Sequence, residues 1–199
     1  MEQCKNCPNP DSHCLYPSIT ECNITEEELK NQIYETLNIL YSSDYYLIEK
    51  CVNEVCISSY FWYYFKSKFS KEYTEYNIDP EYNRNGESCK FFAIENDPER
   101  SKAIPDIIIH KRGCNKYNFA YFEFKAHWNK DKSGKDNDIK KLKAFTSSQN
   151  MFIFEKKEFS YHFTHGIYIQ LSSEYAELTW YADGKKNHKD KWTYEKNDF

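Results

Sequence analysis

The stretch PDIIIHKRGCNKYNFAYFEFK, Pro105 to Lys125, constrains the fold more than any other part of the chain. Two apolar runs rich in β-branched and aromatic residues flank a turn at Gly113, the pattern of two buried strands in a hairpin. Alternate side chains of a strand share a face. Tyr121, Glu123 and Lys125 therefore project from one side of the second strand, and Ala120, Phe122 and Phe124 from the other. Pairing through the turn brings Asp106 alongside Glu123 and Lys125. Two carboxylates at such range repel unless a cation sits between them. An all-oxygen pair with no His or Cys suits a hard divalent ion, Mg²⁺ or Mn²⁺. Lys125 beside that ion is expected to hold or help deprotonate a water and to offset charge building on a pentavalent phosphorus.

A Glu-x-Lys at a strand end carries little information alone. It gains meaning from its setting: Pro-Asp opening an Ile-rich strand, sixteen residues between the two acids, and a Lys-rich helix afterwards.

The remaining chain reads as helices, then strands, a helix and further strands, which predicts an α/β fold with a mixed central sheet flanked by helices. Residues 1–25 form a Cys-, Pro- and Asn-rich arm, and residues 26–199 a single domain with its core over about 45–182. A first helix is predicted from Thr25 to Leu40, with Thr25 as N-cap and Glu28 three residues on. A second is predicted from Tyr45 to Phe69, with Leu47, Cys51, Glu54, Ser58, Phe61 and Phe65 on one stripe. Strands follow at EYTEYNID, CKFFAIE, PDIIIH and NFAYFEFK. NKDKSGKDND reads as a solvated loop, and DIKKLKAFTSSQ as a helix with Asp138 near its start. Gly166–Leu171 and Tyr175–Tyr181 form a closing hairpin, and the residues from Gly184 onward a polar end.

The net charge of -4 disfavours a protein that coats nucleic acid by bulk electrostatics, but not an enzyme with a local basic groove. No window is apolar enough to cross a bilayer, and MEQCKNCPNP carries no signal-type apolar run, so a cytoplasmic location without membrane partners is expected. Four of the eight cysteines, Cys4, Cys7, Cys14 and Cys22, fall in the arm. Cys4 and Cys7 have the C-x2-C spacing of half a structural zinc cage, with Cys14 and Cys22 as the looser second half. A reduced, unliganded tail is the alternative.

IPDIIIHKR, NFAYFEFK and DIKKLKAF, in that order and spacing, resemble the PD-(D/E)XK nuclease superfamily, the restriction-endonuclease-like fold, and in particular its small bacterial and phage members. The resemblance covers roughly residues 45–172; Glu81–Gly86 looks like the first strand of that group, and NEVCISSYFWYYF its N-terminal helix. It implies a metal-dependent endo- or exodeoxyribonuclease in which Asp106 and Glu123 ligate Mg²⁺ or Mn²⁺ and Lys125 positions or activates water. Glu54 would be an accessory carboxylate at the metal. Lys140 and Lys141, with Lys143, His127 and Lys130, are candidate phosphate contacts, and Arg84 either binds phosphate or pairs with one of the site acids. DNA is the expected partner, with RNA open, and the fold suggests a homodimer by analogy. The alternative is a module of this fold that binds nucleic acid or a protein partner in a defence or repair system without turnover.

Overall fold

The computed structural model describes residues 24–72, 76–85, 88–89, 91–92, 101–102, 104–112, 117–148, 152–154, 157–159 and 162–195. The cysteine arm and its zinc expectation (Cys4, Cys7, Cys14, Cys22) lie outside the described residues, as does the turn at Gly113.

Helix α1, Glu26–Ser43, starts where its sequence says. The Glu28 N–H donates to Thr25 Oγ1 and the Thr25 N–H to Glu28 Oε2, satisfying two donors that a helix start leaves orphaned. Leu29, Ile33, Leu37 and Leu40 recur at helical spacing and are buried.

The long second helix divides in two, α2 at Tyr45–Glu49 and α3 at Glu54–Glu72. Between them Cys51 adopts φ 53, a left-handed conformation no helix interior accommodates. Asn53 Oδ1 then accepts the Val55 N–H at 2.8 Å, restarting the helix. Leu47 and Cys51 therefore leave the predicted stripe, which becomes Ile57, Phe61, Phe65 and Phe69. Glu54 moves to the first turn of α3.

The strands are β1 (Asn77–Pro80), β2 (Arg84–Asn85), β3 (Ser88–Cys89), β4 (Phe91–Phe92), β5 (Ser101–Lys102), β6 (Ile107–His110), β7 (Ala120–Ala126), β8 (Phe152–Phe154), β9 (Lys157–Phe159), β10 (His165–Leu171), β11 (Tyr175–Ala182) and β12 (Lys185–Thr193), with helix α4 (Lys132–Thr146) after β7. Six of them form a mixed sheet in the order β1-β6-β7-β10-β11-β12. Only β7 and β10 run parallel; the other neighbours are antiparallel. A parallel pair needs a crossover, and α4 lies on it. The α/β class with a mixed, helix-flanked sheet is thus as expected.

Three expectations are corrected. The strand beside β6 is Asn77–Pro80, which overlaps the predicted EYTEYNID strand; in the stretch likened to a first strand, Glu81 turns out of the sheet at φ 48 and Arg84–Asn85 pairs separately with β3. Helix α4 begins at Lys132 rather than near Asp138, because Asp131 caps it by accepting the Gly134 N–H at 3.0 Å. The polar end is largely strand β12, turned back on β11 by Asp183 (φ 46) and Gly184 (φ 73). Asp-Gly is among the strongest hairpin signals a sequence carries.

Helices α1 and α3 bury one face of the sheet over Ile107, Phe122, Phe124, Ile167 and Trp180. Helix α4 covers the other through Leu142 and Phe145 against Ile108, Tyr121 and Tyr168. A Cβ at Gly166 would stand 2.8 Å from Thr146 Cγ2 and 3.1 Å from Leu142 Cδ2, so glycine there lets α4 sit close to β10. No helix among the described residues is long and apolar enough to cross a membrane.

The β1–β6 edge is pinned by Asp79, which accepts from Arg112 Nε at 2.7 Å and lies 3.1 Å from His110 Nε2. Burial alone would raise the Asp79 carboxyl, but the hydrogen bonds from His110 and Arg112 hold it well below the usual range. A depressed acid stabilises the fold above its unfolded pKa, and that stability is lost as pH falls through the folded value. Asp79→Asn is expected to cost about 1–3 kcal/mol at pH 7 and to flatten the acid limb of stability. Urea unfolding at neutral and acid pH measures both; an equally steep acid limb in the variant would remove Asp79 as its cause.

Candidate metal and phosphodiester centre

The β6–β7 pairing runs from Ile109↔Ala120 to Ile107↔Phe122, and β7 then continues to Ala126. On that side the Phe124 and Ala126 N–H groups have no strand opposite them, and a buried orphan donor is costly. Carboxylates replace the missing strand. Asp106 Oδ2 accepts the Phe124 N–H at 2.6 Å, and Glu54 Oε1 accepts the Ala126 N–H at 2.7 Å. One carboxylate comes from the residue preceding β6 and the other from the first turn of α3, so two elements converge on the end of β7.

Helix α4 supplies the rest. Asp138 and Lys141, one turn apart, face the sheet. Lys141 Nζ lies 2.6 Å from Glu123 Oε1 and 3.0 Å from Asp138 Oδ1. Lys125 Nζ lies 3.4 Å from Glu54 Oε2 and 3.6 Å from Asp138 Oδ2. Asn129 Nδ2 donates to Glu54 Oε2 at 2.9 Å. Three carboxylates (Glu54, Glu123, Asp138) thus meet two ammonium groups (Lys125, Lys141), and Asp106 stands close enough to raise Glu123, a formal excess of two negative charges in a site where Glu123 is 2% exposed.

The electrostatics follow. Burial drives the Glu123 carboxyl well above the usual range, Asp106 adds to the rise, and Lys141 opposes it. Burial likewise pushes Asp106 up to about 6, with the Phe124 N–H and Lys141 pulling it down and Asp138 and Glu54 pushing it up. Burial would lower Lys141, but Glu123 and Asp138 raise it. Tyr121 and Tyr168 are raised first by burial and then by neighbouring acids. The Tyr121 hydroxyl lies beside Glu123, yet neither it nor the Tyr168 hydroxyl makes a well-directed hydrogen bond among the described residues.

Asp106 lies close enough to Glu123 to raise its carboxyl, and Lys125 joins the same cluster through Glu54 and Asp138. Glu54 arrives there too, but its carboxylate is engaged by Ala126, Asn129 and Lys125. Lys141, expected to reach phosphate from the surface, is instead 8% exposed and paired with Glu123. Lys140 is exposed and lines a depression of about 710 Å³ with Asp131, Ser133, Gly134, Asp136 and Asn137. The Arg84 side chain lies outside the described residues. Asp138 was not foreseen as a site residue, although its spacing of three from Lys141 put both on one helix face.

Among the described residues no three His, Cys, Asp or Glu side chains gather to hold a metal ion by themselves. Mg²⁺ is commonly held by only one or two carboxylates, with water and substrate phosphate completing its shell. Asp106 and Glu123, in a cluster with a formal excess of negative charge, are the two carboxylates that such binding would use. Family models, curated proteins and solved structures were compared with the chain, and none matches it.

Proposed function

We propose that the chain is a metal-dependent nuclease of restriction-endonuclease-like fold that hydrolyses phosphodiester bonds, with DNA as the expected substrate. The gathering of four carboxylates and two ammonium groups at the end of β7, a formal excess of two negative charges, carries this reading. A cluster in that state takes up protons or a divalent cation. Asp106 and Glu123 would hold the ion. When bound, it would polarise the phosphoryl oxygens and make water a better nucleophile.

The chain's own groups supply the rest. Lys125 has three N–H donors, and its contacts to Glu54 and Asp138 at 3.4 and 3.6 Å are long. It can turn a donor toward a water or a phosphoryl oxygen while the two carboxylates keep the ammonium in place. Lys141 offsets one charge on Glu123 and so limits repulsion of an incoming phosphate. Glu54 and Asp106 fix the strand end from which Glu123 and Lys125 project.

The pairing of both lysines with carboxylates favours a second reading, a module that binds nucleic acid or a protein partner without turnover. One experiment separates the two. Plasmid, single-stranded DNA and RNA are incubated with the protein in Mn²⁺ or EDTA, beside Lys125→Ala and Asp106→Asn. The amide introduced by the second substitution keeps an acceptor for the Phe124 N–H, so the fold should persist. Cleavage in Mn²⁺ is expected to fall about 10²–10⁴-fold in either variant. Cleavage unaffected by both substitutions, or no cleavage of any substrate by the parent protein, would end the nuclease reading.

A further inference from the structure

Next to the carboxylate cluster lies a set of groups with a different character. Strands β7 and β10 are parallel and in register, with Tyr168 beside Glu123 and Gln170 beside Lys125. All four side chains occupy the face that α4 covers. Lys135, in the first turns of α4, places Nζ 3.4 Å from Gln170 Oε1 and 5.8 Å from the centre of the Tyr168 ring. Among the described residues Lys135 forms no ion pair, unlike Lys125 and Lys141. Tyr168 is 3% exposed and its buried hydroxyl has no hydrogen-bond partner among those residues. A Cβ at Gly134 would collide with the Asp131 carboxylate, so glycine there leaves room for the cap of α4. Lys135 and Gln170 are themselves half-buried and within reach of solvent.

The chemistry of this set is that of an anion receptor. Among the described residues it offers an ammonium free of carboxylate, a hydroxyl without a partner and a side-chain amide. Three acids act on the Tyr168 hydroxyl, and each is engaged: Asp138 by Lys141 and Lys125, Glu123 by Lys141, and Glu54 by the Ala126 N–H and Asn129, while Asp131 caps α4. A buried hydroxyl without a partner costs free energy in the unliganded protein. A ligand oxygen that accepts from it removes that cost.

We propose that Lys135, Gln170 and the Tyr168 hydroxyl form a subsite for one backbone phosphate of the nucleic acid, adjacent to the phosphodiester held at Asp106, Glu123 and Lys125. This rests on the nuclease reading above and extends it. The subsite positions the strand and leaves the reacting atoms to the neighbouring centre. Its signature is therefore in binding and in KM rather than in kcat.

Short labelled single-stranded and duplex DNA are titrated against the full chain in Ca²⁺ over a range of salt, beside Lys135→Gln and Tyr168→Phe, with melting curves and Mn²⁺ cleavage kinetics on each. Lys135→Gln is expected to weaken binding roughly tenfold, to reduce the slope of log affinity against log salt by about one, and to raise KM with kcat nearly constant. Tyr168→Phe is expected to weaken binding roughly threefold with an equal or higher melting temperature, because it removes a hydroxyl that no described residue satisfies. Two variants that bind and cleave like the parent, while Lys125→Ala abolishes cleavage, would overturn the subsite and leave the nuclease reading standing. A Tyr168→Phe protein that melts several degrees lower would show a structural partner for the hydroxyl and remove it from the subsite. A parent protein that neither binds nor cleaves any nucleic acid would bring down both.

Discussion

Glu123→Gln is expected to abolish cleavage while leaving the metal-free protein as stable as the parent, or more so. The side chain keeps its shape, but the one fully buried carboxylate of the four becomes neutral, and the formal excess falls from two negative charges to one. Lys141 retains Asp138 at 3.0 Å, so no ammonium is stranded. The sign of the pH dependence is fixed by the raised carboxyls. An acid whose folded pKa lies above its unfolded value destabilises the fold at high pH, and that penalty lifts as pH falls through the folded value. In EDTA the parent should therefore melt higher near pH 6 than near pH 8, and the variant should show a shallower dependence. Adding Mn²⁺ should raise the parent's melting temperature and barely move the variant's. Cleavage should fall by about 10³-fold or more, the cost of losing an ion and the charge stabilisation it brings. Paired thermal melts and plasmid cleavage check both halves. A variant that melts far below the parent in EDTA at pH 8 would mean that the Glu123 carboxylate holds the fold together.

Lys141→Met should do the reverse. It removes an ammonium that is 8% exposed, leaves Glu123 buried without its ion pair, and raises the formal excess from two negative charges to three. Breaking one side of a buried pair typically costs about 3–5 kcal/mol, which for a chain of this size is roughly 10 °C in melting temperature. Most of that loss should be recovered in the double variant Lys141→Met/Glu123→Gln, since neutralising the carboxylate removes what the lysine compensates. The double-mutant cycle thus measures the coupling directly. A Lys141→Met protein that melts like the parent and only binds nucleic acid more weakly would restore the surface phosphate role read from the sequence.

The hairpin was legible because its information is local. Alternation along NFAYFEFK fixes which face Glu123 and Lys125 share, and a short antiparallel link fixes the register that delivers Asp106. The capping box at Thr25 and Glu28 is local in the same way. Other features depended on choices that composition does not reveal. The break between α2 and α3 has no Gly or Pro to announce it; it rests on a left-handed Cys51 and an Asn53 cap inside an otherwise helical run. The early start of α4 lay hidden in a stretch whose charge and Gly134 suggested a loop, although Asp131 supplied a cap. That displacement matters for the site. With α4 beginning at Lys132, Asp138 and Lys141 stand mid-helix over the sheet, so a lysine read as surface charge becomes the counter-ion of Glu123. Strand β12 was obscured by its lysines, although Asp183-Gly184 signalled the turn.

Those lysines bear on how copies of the chain behave in concentrated solution. The outermost strand presents exposed Lys185, Lys186, Lys189 and Lys191, and the opposite border is a four-residue strand ending in Pro80, which has no N–H to offer. Charged or proline-blunted borders resist the edge-to-edge joining that seeds fibrils. Molecules should therefore repel along the direction in which a sheet would otherwise grow. A symmetric pair is therefore expected to form away from these two edges, leaving the sheet at its six strands.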